Sequence, residues 1–333
     1  MRGLKFGVML PVRGPSNIPG PKSWILALQY QYDELSLETV KHTALSAEEL
    51  GYDSIWVVDH YSTPQTRQRL ECWTTMTWLA SLTHIIRVGS LVLCPLYRHP
   101  SLLAKMASTL DRISNGRLEL GFGACSSFNK AECDANGIPW VGPVTRMKML
   151  KETVEVCRLL WSENPANYNG EFYALRDAFC EPKPMQNPGP PITIAGWGNR
   201  MLRLIAEYAD RVNFGGPELV SERIEVLKSH CNSVGRDYDS LEKTLSIAVV
   251  LKRNREEYLD DMKRRFIADG GHGDFDDWLG RAEDYYVSGT PEECVMQLQP
   301  FLELGFNSFM IRFGDMPSLE DMSLFAQEVI PHL

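Results

Sequence analysis

Apolar positions fall into two alternating patterns along this chain. Short, nearly unbroken apolar runs occupy residues 4–10, 54–59, 86–95, 118–124, 192–197, 211–216, 245–252 and 306–313. Runs of this length and continuity read as strands buried on both faces, the pattern of a parallel sheet. Between them lie longer stretches in which apolar residues recur with helical spacing, at 36–50, 71–83, 100–113, 145–161, 199–209, 217–234 and 291–303, with a last helix closing the chain. The boundaries carry their own signals. Gly51 follows Leu50 as a C-terminal helix stop, Pro100 opens a first turn, and Thr290-Pro291-Glu292-Glu293 is an N-cap with proline just inside it.

Strand–helix alternation predicts βαβ units on a parallel sheet. Eight such units predict an α/β fold of the (β/α)8 TIM-barrel type, a single domain over residues 1–333 with insertions. An open doubly wound sheet would call for a GxGxxG turn after the first strand. That strand leads instead into Leu10-Pro11-Val12-Arg13-Gly14, and Gly121-Phe122-Gly123 lacks the third glycine. The irregular stretch 11–23, a polar excursion at 162–190 and a helical insertion at 254–287 interrupt the regular pattern. Gly270-Gly271-His272-Gly273 breaks the last of these and reads as a lid hinge.

Composition narrows the function. The chain has 333 residues, 44% hydrophobic and 23% charged, as a globular enzyme would. Its net charge of -9, with no Lys/Arg stripe, argues against nucleic-acid binding. No run approaches the roughly 18 apolar residues of a membrane helix, and the N-terminus lacks a signal-peptide pattern. The eight cysteines, at 72, 94, 125, 133, 157, 180, 231 and 294, form no CxxC pair. This scatter predicts free thiols in a reducing, cytoplasmic setting.

In a parallel barrel the C-terminal strand ends build the site. The second strand ends in Asp59-His60, a carboxylate and an imidazole suited to proton transfer. The alternative is a turn cap with His60 bonded to Asp59. The third ends in Leu91-Val92-Leu93-Cys94-Pro95, an apolar wall for a flat ring or ordinary core. His99, just before Pro100, reads as the anchor of a helix start. The fourth ends in Gly121-Phe122-Gly123-Ala124-Cys125, and its two glycines signal either close approach of a planar ligand or a bulge. After the fifth, Gly196-Trp197-Gly198-Asn199-Arg200 runs straight into a helix. Unpaired N–H groups there, beside an Arg, make an anion site fitted to a cofactor phosphate. HExxH, HxH and GxSxG are missing, so neither a metal site nor a serine hydrolase is expected.

Four segments carry a family resemblance: AEELGYDSIWVVDH (47–60), RHPSLLAKMASTLDRISNGRLELGFGA (98–124), PPITIAGWGNRMLRLIAEYADRVNF (190–214) and SGTPEECVMQLQPFLELGFNSFMIRF (288–313). The chain resembles the luciferase-like monooxygenase superfamily, and most its branch using the deazaflavin coenzyme F420. The resemblance implies a cofactor in the barrel mouth, with Asp59 and His60 beside its ring and His60 moving a proton. It implies a non-prolyl cis peptide at Leu91 and Val92, with Cys94 nearby, behind the ring. It places Gly123, Ala124 and Cys125 at the ring edge and Gly196, Trp197, Gly198, Asn199 and Arg200 on the phosphate. Trp197 and Cys125 stand where relatives commonly carry glycine. The implied reaction is hydride transfer between F420 and a small organic substrate, in a homodimer. An FMN-dependent monooxygenase and a non-catalytic flavin-binding protein of the same fold are the alternatives.

Overall fold

The computed structural model describes residues 3–14, 35–62, 68–216 and 220–333. Parts of the irregular N-terminal stretch, and the start of the helix expected from 217, therefore lie outside the described residues. Eight parallel strands close on themselves among these residues: β1 (Lys5–Met9), β2 (Ser54–Val57), β3 (Arg87–Ser90), β4 (Leu118–Phe122), β7 (Ile192–Ala195), β8 (Arg211–Phe214), β9 (Glu242–Leu251) and β11 (Ser308–Phe313). β1 pairs with both β11 and β2, and β8 pairs with β9, so the ring has no free edge. Each strand leads into helix, as the alternation predicts: α1 (Leu37–Glu49), α2 (Cys72–Leu82), α3 (Pro100–Ile113), α4 (Ser127–Ala135) with α5 (Pro143–Ser162), α6 (Asn199–Tyr208), α7 (Val220–Ser233), and α8 (Arg255–Ala268), α9 (Phe275–Tyr285) and α10 (Pro291–Glu303) after β9. The chain ends in α11 (Glu320–Leu324), which runs into a π turn and a 3-10 turn.

Alternation along each strand sorts side chains outward and inward. Phe6 and Val8, Ile55 and Val57, Leu118 and Leu120, Ile192 and Ile194, and Phe309 and Ile311 belong to the main core beneath the helices. The intervening positions turn inward. Trp56 fills the middle of the barrel, its Nε1 donating to Ser54 Oγ at 2.8 Å. Space for the indole comes from Gly7 and Gly89, since a Cβ on either would lie within about 2.5 Å of the ring. Met9, Leu91 and Met310 complete this inner apolar plug.

Below the plug the inward positions are charged. Lys5 Nζ donates to Glu242 Oε1 at 3.0 Å, Arg211 Nε donates to Glu242 Oε2 at 3.1 Å, and Arg211 and Arg87 both pair with Glu119. Glu119 and Glu242 are buried, so this belt satisfies charges that would each be costly alone.

Two insertions add structure outside the ring; the helices and glycine break of the second are those expected at 254–287, whereas the hairpin of the first and the strand that ends the second were not predicted. The polar excursion holds an antiparallel hairpin, β5 (Ala166–Asn169) and β6 (Ala174–Ala178). The helical insertion is two helices, α8 and α9, broken where Gly270, Gly271 and Gly273 take φ of +102, +62 and +89. It then returns as β10 (Val287–Gly289) to pair with β9 outside the ring. Its apolar face, with Tyr258, Met262, Trp278 and Tyr286, forms a second core. No described helix is long and apolar enough to cross a membrane.

Candidate active site

The C-terminal strand ends form a mouth in which inward-facing Val58, His60, Val92, Ala195, Ser246, Ala248 and Arg312 change from buried to partly exposed. One wall is the end of β3. The Leu91–Val92 peptide is cis, the position at which the resemblance implies one. The backbone bulges there and then rejoins β4, with Leu93 N–H donating to Gly121 O at 2.7 Å and Gly123 N–H donating to Leu93 O at 3.1 Å. The bulge explains both β4 glycines. A Cβ on Gly121 would strike the Ser90 carbonyl, and one on Gly123 would lie 2.5 Å from Val92 Cγ2. The backbone approach these glycines permit is, among the described residues, that of the neighbouring β3 bulge. Val92 is thereby held half-buried at the mouth. Ala124, next along, is fixed through its carbonyl, which accepts from Arg146 Nε of α5 at 2.8 Å.

Asp59 and His60 follow β2 and part company. Asp59 is 4% exposed, and its carboxylate takes a two-pronged ion pair from Arg98, at 2.8 and 3.0 Å, together with the backbone N–H of Cys94 at 3.1 Å. It ties the end of β2 to the β3–α3 loop, and the turn-cap alternative in which it bonds His60 is not the arrangement seen. Burial would lower the Arg98 pKa, but its hydrogen bonds to the Asp59 carboxylate outweigh this and hold the guanidinium well above its ordinary value. His99 caps α3, its Nδ1 accepting from Ser101 N–H at 3.3 Å.

The partner of His60 is Glu132, 2.9 Å from Nδ1. Glu132 comes from α4, which the sequence pattern left unread between the β4 end and the helix expected at 145. Its carboxylate is buried, yet it also accepts from Tyr97 OH at 2.6 Å and Asn129 Nδ2 at 3.3 Å. Burial raises its pKa, but the bonds from His60 and Tyr97 outweigh this, and the net position is below the ordinary carboxylate value. Glu132 is therefore ionised at neutral pH. Burial and that neighbouring charge hold the Tyr97 phenol well above its usual range. An ionised carboxylate on Nδ1 favours the Nδ1–H tautomer, leaving Nε2 to exchange a proton with a reactant. The signal for α4 lay in Ser126 and Asn129, which form a capping box, Asn129 Oδ1 accepting from Ser126 N–H at 2.9 Å.

The turn after β7, the strand that pairs with β4, continues the rim. Gly196 has φ +145, and a Cβ there would strike Met201. Gly198 caps α6 without a side-chain bond, and the first intrahelical bond is Leu202 N–H to Gly198 O at 2.9 Å. The N–H groups of Asn199, Arg200 and Met201 thus lack helical acceptors at this partly positive helix end. Trp197 is exposed and lies over Gly215; Asn199 Oδ1 is 2.8 Å from His230 Nε2.

One expectation is overturned. Cys94 and Cys125 form a disulfide, Cα atoms 5.7 Å apart and 31 residues apart in sequence. The spacing could not reveal it, because the bond depends on how the chain bulges after β3 and turns after its neighbour β4. Cys72, Cys133, Cys157, Cys180, Cys231 and Cys294 are free and buried. Among the described residues no group of three or more His, Cys, Asp or Glu is arranged to hold a metal.

A closed parallel barrel with a bulged third strand, an imidazole on a buried carboxylate and an uncapped helix at the mouth defines an α/β-barrel enzyme of cofactor-binding type. Residues 4–308 match the model of the luciferase-like monooxygenase family, and the chain belongs to that family. It is similar to an F420-dependent glucose-6-phosphate dehydrogenase of Amycolatopsis mediterranei, 26% identical over 317 residues, covering 87% of this chain and 92% of that one. In fold it is similar to an F420-dependent secondary alcohol dehydrogenase in complex with an F420–acetone adduct (TM-score 0.77, 21% identity, 99% of both chains). It is likewise similar to a riboflavin lyase with modified FMN and riboflavin (TM-score 0.80, 16% identity, 99% of this chain and 91% of that one).

Proposed function

We propose that this protein is an F420-dependent oxidoreductase, moving a hydride between the deazaflavin and a small organic substrate. The observation that carries the reading is His60 held on the buried carboxylate of Glu132, at the same mouth as the Val92 bulge. The residues fit the cofactor. Leu91 and Val92 would back its ring, with Cys94, Gly123, Ala124 and Cys125 at one edge. The open end of α6, with Gly196, Trp197, Gly198, Asn199 and Arg200, would hold phosphate. F420 supplies hydride chemistry at its ring when bound. The chain's own part is orientation and the proton: His60 exchanges it at Nε2, Glu132 holds the imidazole, and Asp59 positions the loops. A non-catalytic binder would have no use for that pair. The names of the similar dehydrogenases support a dehydrogenase or reductase over an FMN monooxygenase. The reading includes a homodimer and a cytoplasmic setting, which the six buried thiols support.

Titration of the purified protein with F420 and with FMN tests it. Micromolar F420 binding with weaker FMN binding is expected. FMN binding with none for F420 would replace this reading with an FMN-dependent monooxygenase.

A further inference from the structure

The cystine sits where the site's two halves meet. Cys94 lies three residues before Tyr97, and its N–H is held by Asp59. Cys125 immediately precedes Ser126, the N-cap of the helix that presents Asn129 and Glu132. The bond therefore links the loop carrying Tyr97 to the helix carrying Glu132, and Tyr97 OH donates to the same Glu132 carboxylate that holds His60. Cys125 also has φ +60, a left-handed conformation that a non-glycine residue holds only when its surroundings impose it. Its residue is partly exposed at the mouth, while Cys94 is buried. The other six cysteines are buried, and burial raises the pKa of Cys72, Cys157 and Cys294, which keeps them as unreactive thiols.

We propose that Cys94 and Cys125 are a thiol–disulfide exchange site in the barrel mouth, opened by small aliphatic thiols, and that opening loosens the Glu132 helix and with it the support of His60. A thiolate attacks Cys125 Sγ, the sulfur of the partly exposed residue of the pair. The S–S bond breaks and its electron pair leaves on Cys94 Sγ, giving a mixed disulfide at Cys125. A second thiolate attacks the small thiol's sulfur in that mixed disulfide, and the electron pair leaves on Cys125 Sγ. Both cysteine sulfurs take up protons. Two small thiols are oxidised to their disulfide, and the cystine is reduced to two cysteines. Within a reducing compartment a disulfide is usually a transient or sensing one, which fits a pair open to solvent on one side only. This inference rests on the site's geometry and not on the cofactor's identity.

The test needs no cofactor. Full-length protein is equilibrated in glutathione buffers of graded reduced-to-oxidised ratio, quenched with acid and counted for free thiols. Non-reducing peptide mapping locates the bond. Amide hydrogen exchange follows residues 127–135 in the native state. Six thiols with linked Cys94 and Cys125 peptides are expected at the oxidised end and eight at the reduced end. Exchange in 127–135 should rise several-fold on reduction. Cys125→Ser should show the faster exchange at every ratio. Eight thiols at all ratios would show that the bond does not form. Six thiols under excess reduced glutathione would make it a permanent staple. Full opening with unchanged exchange would remove the coupling to His60. Each of these results overturns the proposal, and the wild-type measurements stand if the variant fails to fold.

Discussion

The imidazole of His60 rests on the carboxylate of Glu132, Nδ1 to Oε1 2.9 Å, although 72 residues separate the two in the chain. His60→Ala should lower turnover by about 10²–10⁴-fold, the usual weight of positioned acid–base catalysis, while F420 affinity changes little. Unchanged turnover would take His60 out of the reaction. Glu132→Gln adds a signature in stability. Because the folded pKa of Glu132 lies below its ordinary 4.5, its contribution is present above that value and lost as pH falls through the folded one. The variant should be less stable than wild type at neutral pH, with the gap narrowing below about pH 4.5 in denaturant titrations.

Arg98→Met should cost about 3–5 kcal/mol, since it leaves the buried Asp59 carboxylate without its two-pronged partner. Arg98→Lys should recover only part, because an ammonium cannot reproduce the fork. Urea midpoints measure both; a methionine variant as stable as wild type would mean the pair contributes nothing.

Much of this was legible in the sequence, and the line between legible and not is physical. Strand and helix alternation is a local property, so the eight barrel strands and most helices could be read directly. So could the cap of α3 by His99 and the open turn before α6. α4 could not. Its sequence, SFNKAECDA, has almost no apolar stripe, and it is held by its capping box and by polar contacts. Glu132 was lost with it. The Cys94–Cys125 bond, the Asp59–Arg98 pair and the charged belt depend on where the side chains and loops at the strand ends come to lie, which spacing along the chain does not encode. The β4 glycines were ambiguous for the same reason, because the bulge they accommodate belongs to another strand.

Gly89→Ala should destabilise by about 1–3 kcal/mol through overpacking against Trp56. Adding Trp56→Leu should relieve part of that cost. Thermal melts of both single variants and the double variant give the coupling; strict additivity would show that the glycine does not make room for the indole.

Asp321 titrates against the usual direction. Burial and the facing Asp315 carboxylate push it up to about 7, opposed by Lys252 Nζ and by the Leu251 N–H. Its folded value is above the ordinary 3.8, so the folded state binds the extra proton between these two values. This group's contribution is full below the ordinary value and lost as pH rises through the folded one. Asp321→Asn should therefore flatten the fall in melting temperature between about pH 4 and about pH 7. Parallel wild-type and variant curves would refute the assignment.

Gly196→Ala should weaken F420 binding at least several-fold, because φ +145 and the contact with Met201 exclude a Cβ and the turn before α6 must shift. Fluorescence titration reads this directly. Equal affinity would place the phosphate elsewhere.

The belt of Lys5, Glu242, Arg211, Glu119 and Arg87 lies beneath an interior plugged by Trp56. Such a barrel is a vessel with a sealed floor. If F420 binds at the mouth as proposed, cofactor and substrate share one doorway. The expected order is cofactor in before substrate and product out before spent cofactor. Product-inhibition patterns would record that order as a kinetic consequence of charges buried at the far end of the barrel.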